Sequence, residues 1–82
     1  MVTVSYDPLF EKKVRKIKDM TSKEKVKKQI EKIVNDPEIG KPMRYTRKGT
    51  REVYISSFRL SYFYVEGEGK VVFLDLYHKD EQ

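Results

Sequence analysis

Cysteine and tryptophan are absent from this sequence, and histidine occurs once. Without cysteine there can be no disulfide, no thiol nucleophile and no thiolate metal ligand. One imidazole cannot complete a structural zinc site either, so neither a metal nor a cofactor is expected. No apolar run approaches the roughly 20 residues that span a bilayer, and the N-terminus lacks a signal-peptide pattern. The expectation is a soluble, cytoplasmic protein with no membrane partner. Missing too are a glycine-rich phosphate loop, a paired-carboxylate acid/base site and a Ser-His-Asp set, and His78 alone supports no triad. Glycine and proline number only four and three, so each stands out as punctuation.

What remains is charge around a small apolar complement. The 82 residues form one domain, 1–82, with room for one modest core. Lysine and arginine total 18 against 13 acids, a net charge of +5 that favours an acidic partner, either nucleic acid or an acidic protein.

The most strand-like stretch is Phe58 to Tyr64. Alternation places Phe58, Leu60, Tyr62 and Tyr64 on one face and Arg59, Ser61, Phe63 and Val65 on the other. If the first face meets the core, the Arg59 guanidinium projects from mid-sheet with five donors, suited to gripping a phosphate or carboxylate. The plainer alternative is a surface arginine paired with a cross-strand acid, Asp75 or Glu52.

Upstream, Val2 to Tyr6 alternates as a first strand. Asp7-Pro8 opens a helix whose apolar stripe is Phe10, Val14 and Ile17. Thr21-Ser22-Lys23-Glu24 reads as a capping box for a second helix, with Val26, Ile30, Ile33 and Val34 as its stripe. Asn35-Asp36-Pro37 ends that helix. Met43 to Thr46 is expected to be a short strand or extended loop. Arg51 to Ser56 is a strand with Val53 and Ile55 inward and Glu52 and Tyr54 outward. A Ser56-Ser57 turn leads into Phe58–Val65, and Glu66 to Gly69 forms a hairpin loop. In the last strand, Val71 to Tyr77, the pattern puts Val72, Leu74 and Leu76 on one face and Val71, Phe73, Asp75 and Tyr77 on the other. The expected fold is α+β: an N-terminal strand, then a two-helix antiparallel hairpin on one face of a mostly antiparallel sheet of four to five strands, the other face free.

Two basic sets follow from this layout. Between Glu11 and Lys32 the helices carry ten lysines and arginines and four acids, which is most simply a solvated surface but can steer the chain toward a polyanion. The second set comprises Arg44, Arg47, Lys48, Arg51, Arg59, His78 and Lys79, which strand pairing can gather at one edge of the free sheet face. Tyr54, Phe63, Phe73 and Tyr77 are expected to floor that face. Rings that stack bases, interleaved with cations that hold phosphates, suit single-stranded RNA.

The order of strand, two helices, Arg51, Tyr54, then the ribbon Phe58-Arg59-Leu60-Ser61-Tyr62 and a terminal Tyr77-His78-Lys79 resembles the RelE/ParE toxin superfamily, and within it the RelE-like, archaeal-type mRNA interferases. The resemblance runs over the whole chain. It implies the toxin of a type II toxin–antitoxin system, a ribosome-dependent endoribonuclease that cuts mRNA in the A site, and an acidic RelB-like antitoxin as partner besides ribosome and mRNA. By position it assigns Arg59 to the scissile phosphate, His78 and Lys79 to the terminal basic motif, and Lys48 and Arg51 to the region of basic catalytic groups. Arg44, Arg47, Tyr54 and Tyr77 would hold RNA. Family members often carry a functional tyrosine just after the terminal motif; this sequence has none there, leaving Tyr54 or Tyr77 as substitutes. Two alternatives stand beside this reading: a catalytically weak or inactive RNA- or ribosome-binding module, and a ParE-like inhibitor of DNA gyrase.

Overall fold

The structure, a computed structural model, describes residues 2–44 and 46–81. β1 (Thr3–Tyr6) leads into α1 (Pro8–Arg15) and α2 (Met20–Asn35), followed by β2 (Lys41–Pro42), β3 (Thr50–Ile55), β4 (Phe58–Val65) and β5 (Lys70–His78). The strands form one sheet in the order β1-β5-β4-β3-β2, parallel only between β1 and β5. Both helices lie on one face, α1 against β5 and α2 against β3. This is the α+β architecture expected from the sequence.

α1 begins as its sequence dictates. The Asp7 carboxylate accepts from the Leu9 N–H at 2.9 Å, with Pro8 in the first turn where its missing N–H is harmless. α2 departs from expectation. Its cap is Asp19, which accepts from the Thr21 N–H at 3.2 Å and the Ser22 hydroxyl at 2.8 Å. Thr21 and Ser22 therefore lie inside the first turn, because an aspartate two residues earlier is the stronger acceptor. These hydrogen bonds, Ser22 first, hold the Asp19 carboxyl below its usual range.

The core lies between sheet and helices. It gathers Phe10, Ile17, Val26 and Ile33 from the helical segment and Val53, Ile55, Leu60, Tyr62, Val71, Phe73 and Leu76 from the sheet. The faces of β3 and β4 are those the alternation predicts. β5 is different. Ser61 pairs with Asp75 while Tyr62 pairs with Phe73, leaving Leu74 as an extra residue in a bulge. The bulge shifts the period, so Val71 and Phe73 before it and Leu76 after it all point into the core. Phe73 thus does not floor the free face. It is fully buried, between Phe10 at 5.4 Å and Tyr6 at 5.4 Å (ring centroids).

The segment after α2 decides between the strand and the loop expected for Met43 to Thr46. The strand there is Lys41–Pro42, paired with Glu52 and Arg51, and not Met43 to Thr46; Tyr45 lies outside the described residues. What positions this segment is the Tyr62 hydroxyl, which donates to the Pro37 carbonyl at 2.6 Å and accepts from the Gly40 N–H at 2.9 Å. A Cβ on Gly40 would stand 2.5 Å from that hydroxyl, so only glycine permits the approach. Beside it the Arg51 guanidinium donates to the carbonyls of Glu38 (3.0 Å) and Gly40 (2.7 Å).

Candidate nucleic-acid interface on the open sheet face

The face of the sheet away from the helices is built by strand pairing alone. Arg59 on β4 stands directly opposite Tyr54 on β3 and Tyr77 on β5, so the three form one row across the strands. The Arg59 guanidinium lies 3.8 Å from the centroid of the Tyr54 ring and donates to the Phe58 carbonyl at 3.2 Å. Neither Glu52 nor Asp75, the acids that could have neutralised it, is its partner. Glu52 accepts a hydrogen bond from the Tyr77 hydroxyl, which crosses β4 to reach it. Asp75, turned by the bulge, pairs with Lys13 of α1 at 3.6 Å and accepts from the Leu76 N–H at 2.7 Å. Among the described residues no carboxylate lies within ion-pair distance of Arg59. The result is a half-buried cation, fixed by a ring and a carbonyl, with its charge unmatched.

Around this row the basic loop before β3 supplies further cations. Arg47 packs its guanidinium 3.8 Å over the Phe63 ring on the same face, and Arg44 and Lys48 are exposed. Gly49, at φ +98°, turns this loop into β3; its backbone conformation and the nearby Phe63 ring exclude a larger residue. Tyr54 is 62% exposed, which leaves its ring open to stack on a base. A groove of about 480 Å³ runs beside it, bordered by Lys41, Met43, Arg44, Glu52, Tyr54 and Tyr77.

Of the residues singled out in the sequence, the structure brings Arg59, Tyr54 and Tyr77 together in one row, with Arg44 on the groove beside it and Arg47 over Phe63 on the same face. Lys48 is exposed on the same loop as Arg44 and Arg47, and borders a second groove with Phe63. Arg51 does not join them. It stands opposite the buried Tyr62, on the helix side, where it braces the Glu38–Gly40 backbone. His78 is also on the helix side, opposite Phe58, with the two rings edge to face at 5.7 Å and its Nδ1 3.4 Å from Asp80. Lys79 is exposed just past β5, its N–H donating to the Ser57 carbonyl at 2.8 Å. Glu52, read from sequence as an outward strand residue and as a possible partner of Arg59, proves to be a carboxylate of this face held by Tyr77. The signal was its period-two match with Tyr54.

The sequence matches the ParE toxin family, described as the toxin of the type II toxin–antitoxin system parDE, over residues 4–82. A comparison with curated proteins found no match. Among solved structures the fold is similar to a chain of the intact Escherichia coli RelBE toxin–antitoxin complex, at 19% identity, TM-score 0.78, 93% of this chain and 94% of that one. It is similar as well to a chain of the Mycobacterium tuberculosis RelBE2 complex (23%, TM-score 0.77, 94% and 96%). A chain of the Pyrococcus horikoshii RelE–RelB complex aligns over 99% of this chain and 98% of its own at 10% identity, with TM-score 0.79. At these identities the structural likeness speaks for the fold alone.

Proposed function

This chain belongs to the ParE toxin family of type II toxin–antitoxin systems, and we propose that it acts as an RNA-cleaving toxin on translating ribosomes, restrained by an acidic antitoxin. The observation that carries the reading is Arg59, with no acidic partner among the described residues, held by Tyr54 and set directly opposite Tyr77, whose hydroxyl donates to Glu52.

In this mechanism the 2′-hydroxyl of one nucleotide attacks the adjacent phosphorus. Its proton passes to a base as the 2′-O–P bond forms, and the P–O5′ bond breaks as the 5′-oxygen takes a proton. Arg59 lies ready to bind the phosphoryl oxygens as their charge grows. Glu52 is the nearby carboxylate able to accept the first proton, oriented by the Tyr77 hydroxyl. Tyr77 or Lys79 returns a proton to the leaving oxygen. Tyr54 takes a base on its open face, while Arg44, Arg47 and Lys48 hold flanking phosphates. With an open, shallow site the positioning of the strand must come from elsewhere, and the ribosome supplies it by fixing the message in the A site. The +5 charge suits an acidic antitoxin that covers the same cations, and the neighbouring folds come from RelE–RelB and RelBE complexes.

A gyrase-inhibiting reading takes its support from the family's ParE description; it gives no role to Glu52 beside Arg59. The test is translation of a defined message by purified components, with protein added to ribosome-bound or free message and cleavage read by primer extension. Cuts that require ribosomes and vanish in Arg59→Ala support the RNase reading. An intact message with gyrase supercoiling inhibited supports the alternative.

A further inference from the structure

The β4–β5 ribbon carries two consecutive register pairs at one end. Arg59–Tyr77 faces the open side, and Phe58–His78 faces the helices. Behind the Arg59 row, therefore, the second pair opens onto a cleft of about 500 Å³ between the end of α1, the α1–α2 turn and the end of β5. Its rim carries the cations Lys13, Lys16 and Lys18 beside the His78 ring; its floor is apolar, with Ile17, Phe58 and Leu76.

The charge in this cleft is poorly matched. Lys13 has Asp75 at 3.6 Å, but among the described residues neither Lys16 nor Lys18 has a carboxylate within 4 Å. The acid of the lining, Asp19, is occupied by Thr21 and Ser22. Lysine ammoniums at a rim over an apolar floor fit a ligand that carries phosphate beside a flat, weakly polar group, which is the chemistry of a nucleotide. The route from the open face to this cleft crosses the sheet's end at the Ser56–Ser57 turn, where Lys79 is hydrogen-bonded to Ser57 and exposed. Cations thus continue from Arg59 round the end of the sheet.

We propose that the Lys16–Lys18 cleft is a second phosphate-binding site, taking the backbone of the same single-stranded RNA that the Arg59 face binds. The proposal rests on the RNA reading of that face, and the two are separable by experiment. Binding of a 15-nucleotide single-stranded RNA is measured by fluorescence anisotropy across a salt series for the wild type, Lys16→Ala/Lys18→Ala, Arg59→Ala and the triple variant. Both lysines are exposed, and unchanged thermal melting confirms the fold of the double variant. The expected result is about tenfold weaker binding by the double variant, with the log–log salt slope reduced by about 1.4, or 0.7 for each phosphate lost. The loss should add to that of Arg59→Ala in the triple variant. A double variant that binds like the wild type while Arg59→Ala weakens binding overturns the cleft and spares the open face. Loss in the double variant with a silent Arg59→Ala keeps the cleft and removes the open face. A hexaglutamate peptide that binds the wild type but not the double variant, with RNA binding unchanged, reassigns the cleft to an acidic peptide and overturns the proposal.

Discussion

Replacing Tyr62 by phenylalanine isolates the clamp that places the basic loop. The ring is fully buried, so Tyr62→Phe keeps its packing and removes only the hydroxyl, with one donated and one accepted hydrogen bond. The Pro37 carbonyl is half-buried and can turn to water. Gly40 is buried, and its N–H loses its partner at a cost of about 1–3 kcal/mol. A loss of about 2 kcal/mol is a large share of the roughly 4–12 kcal/mol expected for a chain of this size. At about 4–8 °C per kcal/mol it lowers Tm by about 8–16 °C. Burial also raises the Tyr62 phenol above its usual value of 10.0, the Gly40 hydrogen bond and Arg51 opposing it only in part. The folded state thus holds the neutral phenol. Its contribution is complete below the unfolded pKa near 10 and is lost as pH rises from there through the folded value. The wild type should accordingly lose stability above about pH 10 more steeply than Tyr62→Phe, so that their difference narrows. Circular-dichroism melts and urea titrations at neutral and alkaline pH measure both effects. A neutral-pH Tm within about 2 °C of wild type, or parallel alkaline limbs, would refute the clamp.

Other substitutions test other parts of the account. Phe73→Ala, in the core between Phe10 and Tyr6, should cost about 3–5 kcal/mol by urea unfolding; a loss below about 1 kcal/mol would return Phe73 to the surface. Glu52→Gln should lower single-turnover cleavage on ribosomes by about 10²–10⁴-fold with message binding kept, and an unchanged rate would remove Glu52 as the base. Arg59→Lys keeps the charge but loses the fork and the planar stack on Tyr54. It should fall between the wild type and Arg59→Ala, which should lose about 10²–10³-fold in the cleavage step.

Much of this architecture was legible because its elements obey simple periods. Phe58–Val65 alternates without interruption, so its ends and both faces match the structure. Asp7-Pro8 announces a helix by geometry that any chain must respect. The failures share a cause: each depends on a contact between residues distant in sequence, or on a break in period. The β5 bulge is specified by pairing against Ser61 and Tyr62, and nothing within Val71 to Tyr77 marks Leu74 as the extra residue. Phe73 therefore reads as outward, although it is core. Arg51 looks like any other member of a basic cluster until β3's own alternation is applied to it, with Val53 and Ile55 inward. The rule that placed those two inward also places Arg51 inward, where Glu38 and Gly40 wait for it. The Glu52–Tyr77 contact spans three strands and could not be read before the strand order was known. Arg59, by contrast, was legible as a mid-sheet charge, and only the absence of an acidic partner among the described residues depended on the fold.

The central claim is that the open face cleaves RNA through the neighbouring 2′-hydroxyl. The most direct measurement is the end chemistry of message cut on programmed ribosomes by the purified protein. The account predicts an upstream fragment ending in a 2′,3′-cyclic phosphate and a downstream fragment beginning with a 5′-hydroxyl, cut within the A-site codon and missing with Arg59→Ala. Fragments with 3′-hydroxyl and 5′-phosphate ends, or an uncut message on ribosomes that continue to translate, would contradict it.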